Sequence, residues 1–171
     1  MQVAMLQLKD LPDAKVLSKF AERYAEVDTV SVIHFLSILR IGTELSEALD
    51  HFLATHGLLQ GRWWVLILLM REDNLTSIPS ELAEKAGVSR ATMSGLINGL
   101  LRDGLVVRQD DDSDRRSYFI KLTSQGQAKL DEVMPDYYSR VKKMMGVVPV
   151  KHRENLLKHL FLLREQSIVF D

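Results

Sequence analysis

The sequence predicts a mainly α fold carrying a small β hairpin, and three observations predict it. Apolar residues recur at three- and four-residue spacing over most of the chain, as one buried face of a helix requires. Two glycines, Gly87 and Gly104, each close such a stretch, and the turn after the first is very short. Two strand-like runs, residues 105–107 and 118–122, flank a polar, turn-prone stretch.

Taken in order, residues 12–26 read as a short amphipathic helix. Either Asp28 or Thr29 caps a second, much longer helix that runs to about residue 56, with Gly57 just past its end. Ile33, Leu36, Ile41, Leu45, Leu49, Phe52 and Leu53 supply its apolar positions. Gly61 opens a third helix in which Trp63, Val65, Leu66, Leu68 and Leu69 are apolar nearly all round, so it should be buried centrally.

Residues 82–104 read LAEKAGVSRATMSGLINGLLRDG. Leu82 and Ala83 are followed four residues later by Ala86 and Gly87, on the same face of a short helix. Gly87 stands where that helix must stop, because glycine adopts a left-handed backbone without side-chain strain. Val88 is placed to plug the corner. Ser89 is a good N-cap for the next helix, its hydroxyl meeting a free backbone N–H. Met93, Leu96, Ile97, Leu100 and Leu101 then form an inward stripe. Two short helices joined this tightly make a helix-turn-helix, and the small Ala83 lets them approach.

The outward face of the second helix carries Arg90, Thr92, Ser94, Gly95 and Asn98. These are short polar groups plus one arginine, suited to base edges and phosphates. Gly95 and Gly99 each cost about 1 kcal/mol relative to alanine in a helix interior. At Gly95, on the outer face, that cost suggests that something large comes close. Taken alone, the face reads equally as solvated surface; the hairpin that follows tips the balance.

In that hairpin Tyr118, Ile120 and Leu122 share one face, and the tip reads DDDSDRRS. A charged hairpin directly after such a helix is a wing: the helix fills a major groove while an arginine probes the groove beside it. Four aspartates at the tip repel phosphates. The resolution expected is that Asp114 orients Arg116 by a charge-assisted hydrogen bond and leaves the guanidinium aimed outward. An arginine held in that way can enter a narrow minor groove. The plain alternative is a solvated loop whose charges keep the chain soluble.

The run ELAEKAGVSRATMSGLINGLLRDGLV, then DRRS, then a strand ending in LTSQG resembles the MarR (multiple-antibiotic-resistance regulator) family of bacterial transcription factors. The first part alone is a generic helix-turn-helix; the D-x-R tip and the LT-x-x-G exit make the match specific. The resemblance is closest over about residues 61–126 and extends more weakly to both sides. It implies that Ser89, Arg90, Thr92, Ser94, Gly95 and Asn98 face the major groove. Arg115 and Arg116 would then reach DNA from the wing, with Asp114 bracing Arg116 for the minor groove. One departure precedes Pro79, where a capping Thr or Ser is common in the family and Ile78 stands here. Thr76 to Ile78 then read as a short third strand, with Pro79 at the first helical position and Glu81 in the first turn.

A length of 171 residues allows one compact domain or two small lobes. The net charge of −1 argues against broad, non-specific nucleic-acid binding. Residues 85–121 hold seven basic and five acidic side chains, a local surplus of two. Binding should therefore rest on a few placed arginines and weaken as salt rises. The absence of cysteine excludes disulfides and thiolate metal sites, and with them the cysteine-based peroxide sensing of some family members. The first ten residues lack the basic start and apolar core of a signal peptide, and the longest apolar run, residues 63–70, is too short to cross a bilayer. A cytoplasmic protein is expected, with no membrane partner. His34, His51, His56, His152 and His159 form no i, i+4 pair, and Glu72 with Asp73 reads as a solvent-facing pair, so no metal is expected. No nucleophile–base set, phosphate loop or dinucleotide fingerprint occurs, so neither catalysis nor a cofactor is expected.

After the hairpin, Thr123 can cap a long helix to Met145, which Pro135 should either bend or divide. Gly146 and Pro149 separate it from a last helix carrying Leu156, Leu157, Leu160, Phe161 and Leu163. These end helices hold more apolar surface than a small winged lobe can cover. The economical solution is a homodimer in which residues 1–60 and 125–171 associate and residues 61–124 form a winged helix-turn-helix lobe. Two such lobes facing one duplex about a helical turn apart predict a near-palindromic operator. The resemblance implies the same dimer. It also implies a pocket between dimer helices and lobe, where many relatives bind small aromatic acids or lipophilic compounds. His51, His56, Arg62, Trp63 and Trp64 are the candidates for it, an apolar wall with a polar handle. At least one of the adjacent tryptophans should instead be core, and the sequence leaves open which. The expected function is sequence-specific binding of double-stranded DNA by a transcriptional repressor that a small molecule releases. The alternative is a dimer of the same fold that binds a protein partner and no DNA.

Overall fold

The structure, a computed structural model, describes residues 10–24, 28–110 and 118–170. It is mainly helical, with one three-stranded antiparallel sheet among the described residues. The chain divides into two compact units, Met1–Trp64 and Val65–Asp171.

In the first unit, α1 spans Ala14–Arg23. It is shorter than residues 12–26 because Asp13 caps it, Oδ1 accepting the Val16 N–H at 2.7 Å. Helix α2 spans Thr29–Thr55, and Asp28 rather than Thr29 is its cap. Its carboxylate accepts the backbone N–H groups of Val30 and Ser31 and the Ser31 hydroxyl. Those bonds, the Ser31 hydroxyl foremost, hold the Asp28 pKa below its ordinary value. At the other end Gly57 takes φ 70°, so that Leu58 N–H reaches Leu53 O and Gly57 N–H reaches Ala54 O, both at 3.0 Å. This Schellman turn satisfies carbonyls that the helix would otherwise orphan. Along α2 Leu53 is buried, whereas Phe35, Ile41 and Leu45 are exposed.

Helix α3 spans Gln60–Met70. It begins one residue before Gly61. Val65, Leu66, Leu68 and Leu69 are buried, as the all-round apolar pattern requires. The two tryptophans part company: Trp63 is fully buried and Trp64 is 39% exposed. No single described helix is both long and apolar enough to cross a membrane.

The second unit continues with β1 (Thr76–Ser77), α4 (Pro79–Ala86), α5 (Arg90–Arg102), β2 (Val106–Asp110), β3 (Tyr118–Leu122), α6 (Ser124–Met145) and α7 (Val150–Glu165), closed by a short 3-10 turn, Gln166–Phe170. The expected third strand is present: β1 pairs with β3, giving the order β1-β3-β2. Leu82, Met93, Ile97, Leu100, Val106, Ile120, Leu122, Leu130 and Val133 are all buried, so both helices of the turn, the sheet and the start of α6 contribute to the core.

The LT-x-x-G exit has a physical cause. The Thr123 hydroxyl accepts the Gly126 N–H at 3.0 Å and lies 2.8 Å from the carbonyl of Gly104, to which it donates. It therefore caps α6 and ties it to the end of α5. A Cβ on Gly126 would lie 2.2 Å from the Leu105 carbonyl oxygen and 2.6 Å from a Leu122 methyl, so only glycine lets α6 start there. Pro135 does not divide α6, which is one helix of 22 residues. Its buried residues, Gly126, Leu130 and Val133, all precede Pro135, and α7 buries none.

Candidate nucleic-acid interface

The helix-turn-helix is built by glycine, serine and backbone bonds. Pro79 opens α4 with its fixed φ, and Ile78 before it makes no side-chain cap bond. Ser77, the one buried polar residue among the described residues, donates its hydroxyl to Glu81 Oε2 at 3.0 Å and holds the first-turn carboxylate in place. Gly87 takes φ 65°, Gly87 N–H bonds Glu84 O, and Val88 N–H bonds Ala83 O, both at 3.0 Å. Val88 does not plug the corner with its side chain, which remains 36% exposed. Its backbone N–H closes the turn instead. Glu72, expected to be merely solvated, meets Lys85 Nζ at 2.6 Å and ties the last turn of α4 to the residues after α3.

Ser89 caps α5 as expected, Oγ accepting the Thr92 N–H at 3.1 Å. Ser89 Oγ and Thr92 Oγ1 also lie 2.9 Å apart, so the two hydroxyls hold each other. Ser94 Oγ donates to Arg90 O at 2.9 Å. That bond uses the only proton of the Ser94 hydroxyl within the helix and leaves its lone pairs to accept. The inward stripe buries Met93, Ile97 and Leu100, while Leu96 and Leu101 are half-buried. Gly104 takes φ 71°, with Leu105 N–H on Leu100 O at 3.0 Å, the same exit geometry as at Gly57 and Gly87.

This frame presents Ser89, Arg90, Thr92, Ser94, Gly95 and Asn98 to solvent, all six exposed. A Cβ on Gly95 would meet nothing within 4 Å. The packing of this chain therefore gives no reason for glycine at that position, whereas packing dictates Gly126. Arg90, Ser94 and Asn98 recur every four residues and line one face. The surface is polar, flat at Gly95 and unencumbered, as a helix docking in a major groove must be.

Asp114, Arg115 and Arg116 lie outside the described residues. The hairpin stem that carries them is described: Val106 pairs with Leu122, Arg108 with Ile120 and Asp110 with Tyr118. Reading the sequence alone missed Arg108, whose guanidinium lies 3.9 Å from the centroid of the Tyr118 ring. The signal was the period of two, which puts Arg108 on the Tyr118–Ile120–Leu122 face once the register is known.

Of the candidate pocket residues, His51 is exposed near the end of α2, and His56 is half-buried, edge-on to Phe52 with centroids 5.0 Å apart. Arg62 is half-buried on α3, Trp63 is core and Trp64 reaches solvent. Among the described residues no group of three or more His, Cys, Asp or Glu is placed to hold a metal ion.

Known proteins agree with this geometry. Residues 56–117 match the sequence model of the MarR family. The HTH-type transcriptional repressor YetL of Bacillus subtilis (strain 168) is 34% identical over 165 residues, covering 96% of this chain and 99% of that protein. The crystal structure of AbsC, a MarR family transcriptional regulator from Streptomyces coelicolor, superposes with a TM-score of 0.75 at 23% identity over 81% of this chain and 95% of that one. A second family regulator from Streptomyces coelicolor, solved in complex with DNA, gives a TM-score of 0.74 at 22% identity over 82% of this chain and 89% of that one. The two structures carry the likeness of fold and YetL the likeness of sequence along nearly the whole of both chains. The chain belongs to the MarR family of DNA-binding transcriptional regulators and is not an enzyme.

Proposed function

We propose that the protein is a homodimeric, cytoplasmic repressor that binds a near-palindromic DNA duplex and lets go when a small molecule binds. The observation that carries this reading is the outer face of α5 and its cap: six exposed small or polar residues opposite a stripe that buries Met93, Ile97 and Leu100. YetL, named a repressor, and the family structure in complex with DNA support it. Ser89, Arg90, Thr92, Ser94, Gly95 and Asn98 face the major groove. On the family resemblance, Arg115 and Arg116 contact DNA from the wing, Arg116 in the minor groove braced by Asp114.

The dimer reading rests on α7, where Leu156, Leu157, Leu160, Phe161 and Leu163 are all exposed on one chain. Residues 1–60 and 125–171 would bury these faces against a second copy, leaving residues 61–124 as reading heads about one helical turn apart. An aromatic or lipophilic effector would meet Trp64 with His51, His56 and Arg62, while Trp63 serves as core. A ligand that prefers the wrong spacing of the two recognition helices shifts the population away from DNA. A protein-interaction module of the same fold is not favoured, since it leaves the bare α5 face without a purpose.

The test is a gel-shift titration on the DNA flanking the protein's own gene. Arg116→Ala should weaken binding about tenfold or more while the dimer stays folded. Unchanged affinity removes the wing assignment. Absence of any salt-sensitive duplex binding by the unaltered protein removes the DNA-binding reading itself.

A further inference from the structure

We propose that Arg108, on the stem of the hairpin, is a further DNA contact, a phosphate clamp that Tyr118 and Asp110 hold ready. The proposal rests on the DNA-binding reading and assigns to it a residue that neither the helix face nor the wing tip includes.

The register supplies the first argument. Arg108 stands opposite Ile120 and diagonal to Tyr118, on the hairpin face that carries Val106, Ile120 and Leu122 into the core. Those three are 3%, 0% and 2% exposed. Arg108 is the next residue outward on that face, where the core ends and its side chain is 54% exposed. A stem at that point is where a wing entering a groove must pass the sugar–phosphate backbone.

The geometry supplies the second. The guanidinium carbon lies 3.9 Å from the Tyr118 ring centroid, close stacking for a cation on an aromatic ring. Arg108 Nε is 3.4 Å from Asp110 Oδ1. The ring fixes the plane of the guanidinium and the carboxylate turns its Nε edge. Five N–H groups belong to a guanidinium, and the four on the Nη atoms have no partner among the described residues. That pair of Nη groups is a planar fork, fitted to two oxygens of one phosphate.

Asp110 does not spend the charge. It is 84% exposed, and so open an ion pair is worth little in water, so the guanidinium keeps most of its attraction for a phosphate at the Nη fork. Asp110 on Nε and the stack on Tyr118 both leave that fork open. Tyr118 and Asp110 are positioning residues, and Arg108 touches the DNA.

A purely structural stack would stabilise the hairpin and leave binding untouched, and salt separates the two roles. The experiment is a fluorescence-anisotropy titration of the full-length protein against a labelled duplex three helical turns long, taken from the DNA flanking the protein's own gene, over a series of salt concentrations. Arg108→Ala should weaken binding about tenfold at low salt and flatten the plot of log affinity against log salt by about 0.9 for each arginine engaged. Arg108→Lys should keep the slope and lose part of the affinity, which also covers the case in which the alanine variant folds poorly. Tyr118→Phe should bind like the unaltered protein, and Tyr118→Ala should bind more weakly with its slope retained. An unchanged slope in a folded Arg108→Ala variant, or a lysine variant as flat as the alanine one, overturns the proposal. If the unaltered protein binds no duplex at any salt, the DNA-binding reading falls and this proposal with it.

Discussion

Helices α5 and α7 are of similar length and similarly rich in apolar residues, yet they end up in opposite conditions. Helix α5 buries Met93, Ile97 and Leu100 completely or nearly so and exposes a polar face. Helix α7 holds Leu156, Leu157, Leu160, Phe161, Leu162 and Leu163 and buries none of them on its own chain. The difference shows which part of the molecule a single chain completes. The helix-turn-helix with its sheet is a finished core. A helix that exposes six large apolar side chains is what the proposed dimer would cover, because patches of that size rarely face water.

The comparison breaks most visibly at Leu160. Leu160→Arg places a charge in the face assigned to the second copy, so light scattering after size exclusion should show a monomer. The helix-turn-helix should stay folded, and duplex affinity should fall about a hundredfold as the avidity of two linked heads is lost. A fully dimeric variant would mean that α7 is not the interface. The next effect tests the finished core. Gly126→Ala forces a methyl against the Leu105 carbonyl, and urea denaturation should show a loss of about 2 kcal/mol even after the gain in helix propensity. The smallest effect sharpens the distinction between the two faces of α5. Gly95→Ala meets open space, so it should stabilise the fold by up to about 1 kcal/mol while weakening duplex binding, because in the proposed interface its methyl faces the DNA. A Gly95→Ala variant that is more stable and binds as well as before would remove the interface from that side of α5.

Much of this was legible in the residues because the signals are local. Asp28, Ser89 and Thr123 cap helices through their own side chains within three residues, and Gly57, Gly87 and Gly104 end them through backbone freedom. The stripe of Met93, Ile97 and Leu100 follows from a period of 3.6 alone. Other features escaped because they depend on residues far apart in sequence. Glu72 meets Lys85 thirteen positions away, and the Thr123 hydroxyl donates to the Gly104 carbonyl nineteen positions back. Pro135 was a local signal that misled as to division, since α6 continues through it.

The sequence by itself determined the order of the elements, the caps and turns, the family and the polar face of α5. Each of these depends on neighbours within a few residues or on a contiguous motif. Tertiary structure decided what spacing cannot encode: that Trp63 rather than Trp64 is core, that Gly126 is irreplaceable, and that Arg108 stacks on Tyr118. Two adjacent tryptophans have the same hydrophobicity, and only the place where the core ends tells them apart. A glycine in a helix costs the same anywhere until another backbone comes within a methyl's width of it. An arginine two residues along a strand becomes a neighbour of tyrosine only when strand register is set, and register is fixed by the pairing of Val106 with Leu122 in the core.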